Sequence, residues 1–327
     1  MFNKPQIITE IFEWNNKETK AESLNKKYFS HIYQMWNILI TLNVDIKRFE
    51  LAKQMEANSS KFNSFIINPK ITAALRHMSE TARLAVEGSS FFDLIFKWWV
   101  NYTETPLLVD FGTEDAWEHL DTGLSEYKPY NLDEQAVINR ILKESFEVLE
   151  KIPSAYDLVS KETKILRFRK TPQDSRFGSS SNFLRIGDTF VRNLENTEHQ
   201  KLELAEVLLH EAIHHLLAKD EIMFGMYLTQ SDNSMDGIQS PWSNNTMHIN
   251  SFGQACFVWY GLWHFWNLIR HKIPEKEFAE SRCHRAAMGF VGNDSLNSWI
   301  RHAKPIFRHE FIENLEIMQK TLKAQYE

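Results

Sequence analysis

One apolar repeat constrains this chain of 327 residues more than any other feature. Leu202, Ala205, Leu208, Leu209, Ala212, Ile213, Leu216 and Leu217 recur with the period of an α-helix, and Thr197 followed three residues later by Gln200 reads as a capping box that opens it. Set into the repeat is His210-Glu211-Ala212-Ile213-His214. On a helix, positions four apart lie about 40° apart in azimuth and about 6 Å apart along the axis, so His210 and His214 can present two imidazoles to one metal ion. Glu211 lies on the flank of that pair, poorly placed as a third ligand but well placed to touch a metal-bound water. The chain has 13 histidines, so two at helical spacing can also be satisfied core residues. The intervening glutamate, the apolar flanks and the helix start favour the metal helix.

A hydrophobic fraction of 43% and an aromatic fraction of 13% allow a large core, in one sizeable domain or two intimate ones. The formal net charge is -6 and no Lys/Arg tract is present, which argues against nucleic-acid binding. Cys256 and Cys283 are too few for a disulfide scaffold and fall in apolar helical patterns, which favours a reducing cytosol. The N-terminal residues Met1 to Gln6 lack the features of a signal peptide, so a cytoplasmic location is expected. The most apolar stretch, Phe252 to Ile269, contains Gln254, His264 and Asn267 and reads as a buried helix, not a membrane span.

The expected fold is mainly α with a small β-sheet. Residues 1–105 form a helical N-terminal region and residues 106–327 a metal-binding catalytic region, the two making one intimate unit. Helices are predicted over Ala21 to Leu42, Asp45 to Glu56 and Pro69 to Val86, where Ile71, Leu75, Met78, Ala82 and Ala85 share a face. Trp36, Phe91, Phe92, Trp98 and Trp99 read as core or inter-helix packing. A further helix covers Leu132 to Leu149. Lys164 to Arg169 and Phe183 to Val191 alternate apolar with polar residues and read as strands, separated by a Ser/Gly-rich loop over Thr171 to Asn182. A small sheet therefore precedes the metal helix, as in zincin-type metalloenzymes, a likeness at the level of fold. Thr229 to Asn250 reads as a polar loop, a functional cover or binding segment. Helices follow over Ser251 to Arg270 and Glu275 to Phe290, then a C-terminal pair separated by Lys304-Pro305.

Two imidazoles do not hold a catalytic metal, so a further donor is needed. The thermolysin-like N-E-x-x-x-D pattern is absent. In the metzincin pattern Leu217 stands where a glycine belongs and Asp220 where the third histidine belongs. Glu221 lies seven residues beyond His214, about 10 Å along the axis, too far to share an ion. His248, Gln254 and His264 remain. His248 closes the polar loop and Gln254 falls in the first turn of the next helix, whereas His264 sits in a Trp-rich segment and reads as a core histidine.

Ser240-Pro241-Trp242-Ser243-Asn244-Asn245, followed by His248-Ile249-Asn250-Ser251-Phe252-Gly253-Gln254-Ala255-Cys256-Phe257, resembles the second signature of the H-E-x-x-H proteins associated with ribosomally made peptide natural products. Members of that family follow the metal helix with a proline-containing turn, a polar link and a helix opening L-x-G-x-L-H/Q-G/A. Ile67 to Ile71, Ile152-Pro153, Ser179 to Ser181 and Arg185 to Gly187 add further similarity, over about Phe65 to Phe307. The family includes iron(II) and 2-oxoglutarate dependent peptide β-hydroxylases. The resemblance implies that His210 and His214 bind iron, that 2-oxoglutarate and O₂ fill open positions, and that a precursor peptide is the substrate. Several members place histidine where Gln254 stands, so either Gln254 ligates through its carbonyl or His248 supplies the donor. A 2-oxoglutarate site also needs a cation for the distal carboxylate; Arg282 and Arg285, three apart on one helix, are candidates, a solvated or helix-capping pair being the other reading.

Three functions are therefore open: an iron(II)/2-oxoglutarate oxygenase hydroxylating a side-chain carbon of a peptide, a zinc metallopeptidase with Glu211 as general base, or a non-catalytic peptide-binding relative. Glu211→Gln separates the first two, since it abolishes turnover in the peptidase with metal retained and acts more mildly in the oxygenase.

Overall fold

Helical periodicity accounts for most of the computed structural model, which describes residues 14, 19–42, 46–80, 92, 95–96, 107–112, 127–171, 176–181, 183, 185–225, 236–292, 294–304 and 306–326. Among these residues the chain is mainly helical, with a small mixed sheet and a two-stranded hairpin. Two compact units interleave along the sequence. The first comprises Met1–Leu24, Leu132–Lys161 and Thr197–Glu327, the second Asn25–Asn131 and Glu162–Asn196, so the position after residue 105 lies inside the second.

In the second unit, helix α1 (Thr19–Leu42, belonging here from Asn25), α2 (Ile46–Ala57), α3 (Ser59–Ile66) and α4 (Pro69–Glu80) accompany the sheet. Trp36 is fully buried against Phe62 and Phe92, with ring centroids 5.5 and 5.8 Å away, and its indole N–H donates to Glu56 at 2.9 Å. Phe91, Trp98, Trp99 and residues 81–86 lie outside the described residues. Strands β1 (Leu108–Asp110), β2 (Ile165–Arg169), β3 (Gly178–Ser181) and β4 (Asp188–Arg192) form a sheet ordered β1-β2-β4-β3. The first three neighbours run parallel and β3 joins antiparallel.

The strand expected over Lys164 to Arg169 is β2, and all five of its residues are buried. Its arginines are neutralised. Arg167 forks onto Asp188 at 2.9 and 3.1 Å and reaches Asp110 at 2.9 Å, and Arg169 reaches the same Asp110 oxygen at 3.0 Å. Charges buried in this way persist because each is paired and hydrogen-bonded. Two sequence expectations are corrected here. Within the expected strand Phe183 to Val191, the described residues Phe183 and Arg185 to Gly187 are not strand, and Gly187 takes φ +95° in a turn, where a Cβ would stand 3.2 Å from the Glu162 carbonyl. The Ser/Gly-rich stretch is not loop throughout, because β3 pairs with β4.

In the first unit, α5 (Leu132–Leu149) and α6 (Pro153–Glu162, to Lys161 in this unit) precede the long helix α7 (Gln200–Phe224). Strands β5 (Asp236–Gln239) and β6 (Thr246–His248) pair antiparallel, so the second half of the expected polar loop is a hairpin. Residues 226–235 lie outside the described residues. Helices α8 (Ile249–Ile269), α9 (Lys276–Val291), α10 (Asp294–Ala303) and α11 (His309–Tyr326) complete the unit. Helix α8 is buried nearly all round, with Tyr260, Trp263, Phe265 and Trp266 in the core, and packs against α7 and α9. Among the described residues no helix is long and apolar enough to cross a membrane. Cys256 and Cys283 are both free and buried.

Candidate metal centre

Helix α7 is a core helix with one open seam. Between Leu202 and Ala218 only Glu203, Val207, His210 and His214 escape full burial, and their spacing of four, three and four places them on a single stripe. The expected capping box is absent: His199 is the N-cap and no side chain caps the first turn. The helix is held instead by its apolar surface, since Leu202, Leu204, Ala205, Leu208, Leu209, Ala212, Ile213, Leu216 and Leu217 are all buried.

His210 and His214 thus share the seam, with ring centroids 5.0 Å apart and planes inclined by 55°. Metal–nitrogen bonds of about 2.1 Å, with ring centres about 1.1 Å behind the ligating nitrogen, put two imidazoles meeting on one ion at about 90–110° with centroids about 4.5–5.2 Å apart. The pair fits a shared ion. Desolvation pushes His210 down to about 4, with His214 and Arg282 acting in the same direction and Glu211 and Glu206 opposing, so its imidazole is neutral at pH 7 and offers a lone pair. Glu211, about 100° round the helix from His210, is off the seam and only 2% exposed.

The third-donor candidates separate clearly. Gln254, on α8, brings Oε1 within 3.0 Å of His214 Nδ1. His248 is the N-cap of α8, where its Nδ1 accepts from the Asn250 backbone N–H at 3.3 Å. His264 lies on α8 against Tyr260 and Trp263, with centroids 4.5 and 4.6 Å away, consistent with a core histidine. Among the described residues no three His, Cys, Asp or Glu side chains are grouped so as to hold a metal ion. Gln254 is the candidate that touches the histidine pair.

The two arginines also part company. Arg282 is engaged by Glu206, one turn before His210, through bonds of 2.8 and 2.6 Å, and the Trp266 indole N–H donates to the same carboxylate at 2.6 Å. Arg285 has no carboxylate partner among the described residues. Its guanidinium lies 5.2 Å from the centre of the Trp259 ring and donates to the Trp242 carbonyl at 3.4 Å. Trp259 meets the His210 ring edge-on at 6.5 Å and stacks on Trp242 at 5.7 Å. Trp242 donates its indole N–H to the Ala286 carbonyl at 2.9 Å and lies where a Cβ on Gly289 would fall. Sequence reasoning missed Glu206, Trp242 and Trp259 as parts of this wall. A signal for Glu206 was present, because a carboxylate inside an apolar helix needs a partner.

No protein-family model matches the chain, and no curated protein matches it in sequence.

Proposed function

We propose that this chain is a metal-dependent enzyme acting on a peptide, an iron(II)/2-oxoglutarate oxygenase that hydroxylates a side-chain carbon of a ribosomally made precursor. The observation that carries the reading is the His210–His214 pair set at ligand spacing in the one open seam of the otherwise buried Leu202–Ala218 stretch of α7. The motif resemblance around Trp242 and Gln254 supplies the reaction class. Bound together, iron(II), 2-oxoglutarate and O₂ replace a C–H bond by C–OH while the 2-oxo acid is split to succinate and CO₂.

The chain's own residues have separable tasks. His210 and His214 would hold the iron through neutral imidazole nitrogens, a ligand type that suits iron as well as zinc. Arg285, held on the Trp259 face beside His210, would take the distal carboxylate of the 2-oxo acid by charge and by its fork of donors. Arg282 is not assigned that task, because Glu206 already neutralises it. The Trp242–Trp259 stack would form an apolar wall beside His210.

The test supplies full-length protein, loaded with iron(II) under anaerobic conditions, with 2-oxoglutarate, O₂ and a pool of synthetic peptides. Succinate together with peptides one oxygen atom heavier is the expected result, and His210→Ala should abolish both. Peptide fragments from zinc-loaded protein, without succinate, would identify a peptidase and overturn the reading.

A further inference from the structure

The hydrogen bond between α7 and α8 settles a chemical question at His214. A glutamine Oε1 can only accept, so at 3.0 Å from His214 Nδ1 the proton of that bond must belong to the imidazole. A neutral imidazole has one ring proton. With Nδ1–H pointing at Gln254, the lone pair of His214 is on Nε2, and the ring's rotation is fixed by a partner on a different helix. Metal-binding histidines are characteristically oriented in this way, the second ring nitrogen donating to a carbonyl or carboxylate that sets the tautomer and raises the basicity of the ligating nitrogen. Among the described residues His210 has no such bond, and its ring meets that of Trp259 edge-on.

We infer that Gln254 is a positioning residue for the metal centre, acting through His214 by holding it as the Nδ1–H tautomer with Nε2 presented to the ion, and is not itself the third ligand. This rests on the reading that His210 and His214 bind a metal. It also assigns a reason for an amide at this place in α8. An amide oxygen accepts from Nδ1–H without adding charge, so the centre carries one negative charge less than a carboxylate partner would give it. The third donor is then a group other than Gln254.

Two measurements on the full chain keep the outcomes apart. In metal-free protein, long-range ¹⁵N–¹H NMR of the imidazoles reads the tautomer directly: His214 should be the Nδ1–H form, and Gln254→Leu, which keeps the volume and removes the acceptor, should shift it toward a mixture. Wild-type His214 as the Nε2–H form overturns the inference whether or not a metal binds. In a cobalt(II) titration, Gln254→Leu should weaken binding by roughly 10–100-fold, with the ligand-field spectrum of the saturated protein unchanged. Gln254→Glu, which restores an acceptor, should recover the affinity. A changed ligand-field spectrum in Gln254→Leu would show that Gln254 ligates, and an unchanged affinity would show that it does nothing; either overturns the inference. If wild-type protein binds no cobalt(II) while His214 remains the Nδ1–H tautomer, it is the metal reading that fails, and the positioning role fails with it.

Discussion

Gly289→Ala isolates the packing that builds the wall of the site. Gly289 lies in α9, where alanine is intrinsically favoured over glycine by about 1 kcal/mol. Propensity alone therefore makes the substitution stabilising. The structure requires the opposite sign. A Cβ at this position would stand 2.0 Å from Trp242 Cε2, 2.2 Å from its Nε1 and 2.5 Å from its Cζ2. The indole cannot slide aside freely, because it donates to the Ala286 carbonyl, stacks on Trp259 and meets Phe290 edge-on at 5.2 Å. Ordinary carbon contacts need about 3.5 Å or more, so the ring must move by over an ångström. That forfeits the hydrogen bond and part of the burial of a side chain that is 7% exposed.

Overpacking of a core costs about 1–3 kcal/mol, and complete loss of a buried tryptophan about 3–5 kcal/mol. Placing Gly289→Ala between these and subtracting the helix gain leaves a net loss of about 2–3 kcal/mol. Urea unfolding followed by far-ultraviolet dichroism and tryptophan fluorescence measures it. The decisive arm is a double-mutant cycle with Trp242→Ala. With the indole removed, Gly289→Ala should become neutral or stabilising. If Gly289→Ala stabilises the protein with Trp242 intact, the seat described here is wrong.

Two further outcomes follow from buried charge. Glu206→Ala strips Arg282 of its carboxylate and Trp266 of its acceptor; breaking a buried pair costs about 3–5 kcal/mol, with the low end expected because the Arg282 side chain is 19% exposed. Adding Arg282→Met should recover most of the loss, and a Glu206→Ala variant within about 1 kcal/mol of wild type in urea unfolding would contradict a desolvated pair. Burial pushes His264 down to about 4 from 6.5, and its Nε2 has no hydrogen-bond partner among the described residues. The unfolded chain therefore takes up a proton that the folded chain refuses: the contribution of neutral His264 is complete above pH 6.5, is lost as pH falls toward about 4, and is level below that. His264→Phe should flatten the fall in thermal midpoint across that window, and an unchanged slope would remove His264 as its source.

Most helices of the first unit were legible because their apolar residues repeat with helical period, and α5 begins and ends where that period does, whereas α6 was not expected. The hairpin was not legible either. Asp236 to Gln239 and Thr246 to His248 are short and carry one β-branched residue each, Ile238 and Thr246, and their pairing is fixed by the turn between them. There the Ser240 N–H donates to the Asn245 carbonyl at 2.8 Å and Asn244 takes φ 58°. Likewise Gly178-Ser179-Ser180-Ser181 has the composition of a loop and becomes strand only because β4 offers an open edge. Arg282 and Arg285 could not be distinguished by sequence, since both lie on α9 within one turn of each other. What separates them is Glu206, 76 residues from Arg282 along the chain.

The Ser240-Pro241-Trp242 turn gains a physical role from this arrangement. The turn of the β5–β6 hairpin delivers Trp242 onto Gly289 of α9, and that indole then supports Trp259 of α8, whose ring meets His210 on α7. One side chain from a short polar hairpin thereby fixes the contact between three helices at the point where the histidine pair opens to solvent. A helix as buried as α7 keeps two incompletely buried imidazoles only where its neighbours leave a seam. Seated on Gly289, the tryptophan of the signature around residue 242 thus reaches His210 through Trp259, although the three lie on separate elements.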